Sequence, residues 1–396
     1  MPSRIVLFGA FDRHNFGDLL FPHIVSKSLP NQAIEFAGLV DRDMRPWGGH
    51  PVKSLVSIPL DENATLIHCG GELLTCTAYE AAVMLQTPEQ ARQAITCHDA
   101  DPLDAERWAA EALLTSRRIP YVVRADRGRL IFNAVGGVEW PLLQPIQQEE
   151  VIETLRQADW IGVRDHVTQG HLQAAGIACS LCPDPAVMVK EYFDELIQQR
   201  SLRGEVAQTI GTFPKGYLAC QFAAEFGDDA TLDQLANGLN KTCAETGLGV
   251  VLFRAGAAPW HDQIEPYERL SARMPAASTR IFHSLNLWDI CALLAKSRVY
   301  CGSSLHGGIV AAAYGLPHVS LIPPQKTNRP DKVSANRNTW ERKSLNVCVK
   351  PDEIEQALVS ALNQSAEELK ISAARLEKIY RENQQQWLWV VSQCSG

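Results

Sequence analysis

The sequence predicts an α/β protein built from two parallel-sheet domains. Three observations carry this: short apolar runs alternate with helical stretches from the first residues, the alternation starts afresh near Tyr217, and 396 residues exceed one ordinary core. Hydrophobic residues make up 46% and charged residues 21% of the chain, enough apolar material for a core in each half. The net charge of -8 argues against a nucleic-acid surface but allows a local basic cleft for a small anion.

In the first half the apolar runs predict strands at Arg4–Gly9, Ile34–Val40, Thr65–Cys69, Tyr121–Arg124, Leu130–Val135, Trp160–Val163 and Ala178–Leu181. Between them, helical spacing covers Phe16–Ser28, Asp104–Ser116, Gln148–Gln157 and Val167–Ala175, the last closed by Gly176 as a C-cap. The second series of strands is Tyr217–Phe222, Gly249–Phe253, Arg280–His283, Arg298–Cys301 and His318–Leu321. These limits give domains over 1–200 and 215–350, joined by the polar segment Gln198–Lys215 with its Gly204, Gly211 and Pro214. From Pro351 the pattern is helical, Pro351–Asn363 and then Ser365 to about Trp389, and residues 351–396 are expected to pack across the domains. The cluster of Trp387, Trp389 and Val390 reads as an ordinary docking stripe, with a weak peripheral membrane contact as the sharper alternative.

The apolar run after MPSR is too short for a signal peptide and no membrane-spanning stretch follows, so a cytoplasmic location is expected. Most of the 11 cysteines, such as Cys69, Cys220, Cys301 and Cys348, fall in apolar strand patterns and read as small core residues. Cys179 and Cys182 form a lone C-x-x-C without a second pair, and no metal is assigned.

Ligands of open parallel sheets bind outside the carboxyl ends of the strands, so polar residues just after strands are the candidates. The first group is His14, Asn15, Gly17 and Asp18, where Asp18 either caps a helix or orients a hydroxyl. Gly70, Gly71 and Glu72 follow the third strand, and Gly136, Gly137 and Glu139 follow the fifth; paired glycines allow close approach to the backbone. Arg164 and Asp165 end the sixth strand. Asp165 reads as an N-cap, and Arg164 as either a structural partner or a planar fork for carboxylate or phosphate. Asp184 lies in a proline-flanked turn.

The most informative stretch is VYCGSSLHGGIVAAAYGLP, Val299–Pro317. It sets an apolar strand, the turn Gly302–Ser303–Ser304 and an Ala-rich helix around His306, exposing amides at a helix start where an anion can bind. Read alone, the serines are N-caps and His306 a satisfied polar group. Arg254 follows another strand, and the loop Gln325–Lys332 adds Lys326, Arg329 and Lys332.

Together these segments resemble the polysaccharide pyruvyl transferase family. The matching pieces are NFGDLL (15–20), HCGGELL (68–74), FNAVGG (132–137), WIGVRDHVTQGHLQAAGI (160–177), PDPAV (183–187) and GSSLHGGIVAAAYGLP (302–317). The resemblance implies a GT-B-like fold, two Rossmann-like domains facing a cleft, with 1–200 on the acceptor side and 215–350 on the donor side. It implies transfer of the pyruvyl group of phosphoenolpyruvate to a sugar, as a ketal, on a cell-surface glycan or its lipid-linked precursor, with no further cofactor. By position His306 and Arg164 match the family's histidine and arginine, with Asp18 as base or orienter. Ser303, Ser304, Gly307, Arg254 and Lys326 are donor-side candidates; Asn15, Gly17, Gly70, Gly71, Glu72, Gly136 and Gly137 fall on the acceptor side.

One position departs from the pattern. Many members carry arginine two residues before the histidine, where this chain has Ser304. A serine replaces neither the charge nor the reach of a guanidinium, so Arg254, Lys326 or Arg329 supplies the cation or the donor differs. The rival readings are a nucleotide-sugar glycosyltransferase of the same architecture and a non-catalytic binding partner.

Overall fold

Two parallel sheets organise the chain in a computed structural model that describes residues 4–125, 127–323 and 331–393. The chain forms two compact units, Met1–Pro185 with Lys378–Gly396, and Ala186–Glu377.

The strands of the first unit are β1 (Arg4–Phe8), β2 (Ala33–Gly38), β3 (Arg42–Asp43), β4 (Pro51–Ser54), β5 (Ala64–Cys69), β6 (Arg129–Val135), β7 (Trp160–Val163) and β8 (Ser180–Leu181). They lie in the order β3-β4-β2-β1-β5-β6-β7-β8, parallel throughout except for the β3–β4 pair. The central strands are mostly apolar because helices cover both faces, and every residue of β5 is buried. Val6, Phe8, Leu66, Phe132 and Leu130 meet in one core cluster. His68 is buried inside it, stacked on Phe132 with centroids 4.1 Å apart, and burial pushes its imidazole down to about 3.

Order in the second unit runs β11-β10-β9-β12-β13-β14, all parallel. Its strands are β9 (Tyr217–Gln221), β10 (Gly249–Phe253), β11 (Thr279–Phe282), β12 (Val299–Gly302), β13 (His318–Leu321) and β14 (Cys348–Val349). The helix Ile354–Leu362 closes one face through Ile354, Leu358 and Ala361.

Two sequence expectations need correction. Tyr121–Arg124 is not a strand: it is an irregular connector, buried through Tyr121 and Val122 and tied to β5 where the Val123 amide donates to His68 Nε2 at 3.2 Å. Its apolar run serves the core without a ladder. Gln198–Lys215 is not a linker either. It carries the end of one helix, Val189–Ser201, and all of another, Gly204–Thr212, within the second unit; its glycines sit at a helix start and inside a helix. The tail forms the helix Ala366–Ser392, in which Trp387 and Val390 are buried and only Trp389 of the cluster is exposed, at 65%. No helix among the described residues is long and apolar enough to cross a membrane.

Candidate functional site

Strand order dictates where each unit can hold a ligand. In the first sheet the chain runs outward from β1 to β2 and then returns to place β5 on the other side of β1. In the second sheet the corresponding switch lies between β9 and β12. The candidates around Asp18 and around His306 lie at these two places, and those around Arg164 at the ends of β6, β7 and β8.

At the first switch point Asn15 caps the helix Phe16–Lys27, its side chain accepting from the amides of Gly17 at 3.0 Å and Asp18 at 3.4 Å. Asp18 is therefore not the cap. Its carboxylate lies 3.9 Å from Arg13 Nη2. Arg13 donates to Tyr121 Oη at 3.0 Å, and Tyr121 lies 3.4 Å from Asp12, whose carboxylate accepts from the amides of Leu39 and Val40. Burial works against the Arg13 charge, yet Tyr121, Cys76, Asp18 and Asp12 hold its pKa above the ordinary value. Burial also raises the Asp12 carboxyl, with Arg13 opposing. Arg13 was not among the sequence candidates; its only signal is a charged pair shortly after an apolar strand.

The glycines serve packing more than ligand approach. Gly70 and Gly71 have φ of +57° and +76°, and a side chain on Gly70 would meet the Phe21 ring at 2.5 Å. Gly71 leaves more room, with Asp18 Oδ1 3.5 Å from where a Cβ would stand. At Gly136 a Cβ would meet Glu72 Oε2 at 2.4 Å and Arg164 Nε at 2.7 Å. A bulge in β6, with Ala134 at φ +54°, turns the strand end toward this point.

The reason for that glycine is an ion-pair triad. Arg164, 1% exposed, donates to Glu72 at 2.5 Å and stands 3.6 Å from Asp184, which is also 1% exposed. Glu72 in turn accepts the Val138 amide at 2.6 Å. Asp165 caps the helix His166–Ala174 through Thr168, as its sequence position suggested, and the Thr168 hydroxyl accepts the Gly137 amide at 2.9 Å. The Arg164 fork thus lies between two carboxylates inside the first unit. Glu139 is exposed. Along the same sheet edge a cavity of about 300 Å³ opens at Phe8, Gly38 and Ser54, the last residues of β1, β2 and β4, with Arg117 and Arg124 among its lining.

At the second switch point Ser304 caps the helix Leu305–Ala313 by accepting the Gly307 amide at 3.3 Å. Its own amide donates to Gln221 Oε1 at 2.7 Å, and the Ser303 hydroxyl accepts the Ala223 amide at 3.0 Å. The expected cradle is correspondingly reduced, since the amides of Ser304 and Gly307 are committed to protein oxygens. His306, on the first turn of the helix, is 7% exposed. Arg254 follows β10, the neighbour of β9; it is half-buried, and its Nε meets no hydrogen-bond partner among the described residues. That orphaned donor makes Arg254 a candidate for the missing cation; Lys326 and Arg329 lie outside the described residues. Gln221, Tyr300 and Asp262 also meet here and were not anticipated. Gln221 hides at the end of an apolar strand, and Asp262 sits in a loop with no motif.

Among the described residues no group of three or more histidine, cysteine or acidic side chains could hold a metal, and the described cysteines are free.

Comparison with known proteins gives a family and a fold. The family model described as polysaccharide pyruvyl transferase matches residues 15–323, which include both switch points. No curated protein matches. Solved structures with similar folds include the UDP-GlcNAc 2-epimerase of Methanocaldococcus jannaschii (TM-score 0.53, 11% identity, 92% of this chain and 94% of that one). The UDP-N-acetylglucosamine 2-epimerase of Rickettsia bellii gives TM-score 0.53, 11% identity, and 99% and 98% coverage. An alpha,alpha-trehalose-phosphate synthase (UDP-forming) of Burkholderia vietnamiensis gives 0.50, 12%, and 100% and 98%. At these identities the likeness is one of fold: two Rossmann-like units of the GT-B type, with a C-terminal helix.

Proposed function

The chain belongs to the polysaccharide pyruvyl transferase family, and on that premise we propose that it joins the pyruvyl carbon of phosphoenolpyruvate to two hydroxyls of a sugar as a cyclic ketal. The observation that carries the reading is the second switch point, where His306 opens a capped helix and the orphaned Nε of Arg254 follows β10, two strands from β12 in the same sheet.

The chemistry asks for those groups. The donor brings a phosphate and a carboxylate, which call for a guanidinium and helix amides. Its methylene carbon takes a proton, for which His306 is the proposed general acid. One sugar hydroxyl then adds to the cation-like carbon and gives up its proton to a general base. Phosphate leaves with the electrons of its C–O bond, and the second hydroxyl adds to the same carbon and closes the ketal, its proton passing to the released phosphate. Arg254 takes the part that the arginine at position 304 plays elsewhere in the family. Arg164 acts indirectly, by holding Glu72 and the ends of β5 and β6 in place. The proposed acceptor is a cell-surface glycan or its precursor, met on the cytoplasmic side.

Thermal unfolding with phosphoenolpyruvate, UDP or GDP tests the donor: a ligand at ten times its Kd adds about 1.4 kcal/mol. Stabilisation by UDP or GDP but not phosphoenolpyruvate would remove the proposal. With nitrophenyl glycosides as acceptor probes, His306→Ala should lower pyruvyl transfer about 100-fold or more with unfolding unchanged. Equal rates in the two proteins would remove His306 from the chemistry.

A further inference from the structure

The turn before His306 is held by a relay whose direction is set by one charge. Ser304 donates its amide to Gln221 Oε1 at 2.7 Å, and Gln221 Nε2 donates to both oxygens of Asp262, at 3.0 and 2.9 Å. Asp262 also accepts the Ala255 amide at 2.6 Å. Tyr300 Oη donates to the Ser304 carbonyl at 3.0 Å and lies 3.4 Å from Gln221 Oε1. Gln221 and Asp262 are 2% and 5% exposed, so water is a poor substitute for either partner.

A glutamine amide fits such a place in two orientations, and its neighbours decide between them. An ionised carboxylate only accepts. Gln221 must therefore turn its NH₂ toward Asp262, which leaves its carbonyl for the Ser304 N–H. We propose that Asp262 is a positioning residue: its carboxylate locks the Gln221 amide, and through it the Ser304 backbone and the first turn of the His306 helix.

A protonated Asp262 loses that control, because it can donate to a flipped Gln221 whose NH₂ then opposes the Ser304 N–H. Burial pushes the Asp262 carboxyl up to about 6, against the hydrogen bonds from Gln221 and the backbone. The titratable groups facing it are Tyr267, from the helix Ile264–Ala272, and Tyr300, from β12, both raised well above the ordinary phenol range by burial. Neither brings a charge near neutral pH. The functional consequence rests on the role proposed for His306; the relay does not.

The test exchanges the partners. In Asp262→Asn the NH₂ that replaces a carboxylate oxygen opposes either the Ala255 N–H or Gln221, and a Gln221 flip moves the clash to Ser304. In the double variant Asp262→Asn, Gln221→Glu the carboxylate shifts one place along the relay. Position 221 then accepts from the Ser304 amide and from the side-chain NH₂ at position 262, whose carbonyl oxygen accepts from Ala255. Hydrogen exchange across 303–308, as protection factors, should fall at least tenfold in the single variant and return in the double one. Transfer to the nitrophenyl glycoside should follow the same order. In the wild type, protection of this segment should drop as pH falls through about 6. A double variant no better than the single, or wild-type protection flat from pH 5 to 8, would overturn the proposal. Should the single variant fail to fold, the wild-type pH series still decides. Absence of any pyruvyl transfer by the wild type would remove the functional reading alone, with hydrogen exchange still judging the relay.

Discussion

Replacing Arg164 by methionine separates a structural arginine from a donor-binding one. The side chain is 2% exposed and lies between Glu72, 20% exposed, and Asp184, 1% exposed. Burial opposes its charge, and Glu72, Asp184 and Asp165 more than offset that. Glu72 can recover some hydration when the guanidinium goes, but Asp184 cannot. Removing one partner of a buried pair costs about 3–5 kcal/mol, because the charge left behind keeps its desolvation penalty. For a unit of this size that is roughly 6–20 °C at about 2–4 °C per kcal/mol. The loss should depend on pH with a definite sign. In the variant Asp184 has a folded pKa above its unfolded one, so protonation relieves the strain, and the deficit is largest near pH 8 and shrinks towards pH 4. Urea unfolding of both proteins at several pH values measures this. A deficit below about 1 kcal/mol at pH 8, with binding of phosphoenolpyruvate lost, would refute the structural argument and return Arg164 to the donor site.

Gly136→Ala should cost about 1–3 kcal/mol by driving a methyl group into the same ion pair, and should add little to Arg164→Met, a non-additivity that a double-mutant cycle reads directly. Acid should unfold the first unit early. His23, His50 and His68 are lowered by burial to about 4, about 3 and about 3, so each favours folding above the ordinary histidine pKa and loses that contribution as pH falls below it. For the fully buried His68 the upper bound is about 5 kcal/mol. Urea midpoints from pH 8 to 4 should fall more steeply in the wild type than in His68→Gln, which keeps an acceptor for the Val123 amide; parallel curves would contradict the assignment.

Much of the architecture was legible because buried parallel strands are written as apolar runs, and every strand longer than four residues was found that way. The short strands β3, β4 and β14, at or next to a sheet edge, carry two to four residues each and no pattern to read. Tyr121–Arg124 misled for the opposite reason: a buried connector is as apolar as a strand, and only pairing separates them. In the sites, local sequence located Ser304 as a cap and His306 on a helix start, since both follow from neighbours in the chain. The partners of Arg164 come from 92 residues upstream in one case and from the turn after β8 in the other, and no periodicity announces such a meeting.

By itself, then, the sequence determined the class of fold, the two series of strands, the family through motifs in a set order, and the strand ends where chemistry could sit. Tertiary structure alone decided what each polar residue does there. It gave Arg164 to two carboxylates, spent the Ser304 amide on Gln221, and brought in Arg13, Gln221 and Asp262. The physical reason is that secondary structure follows local periodicity and propensity, whereas the partner of a buried charge is set by which strands the sheet order places side by side.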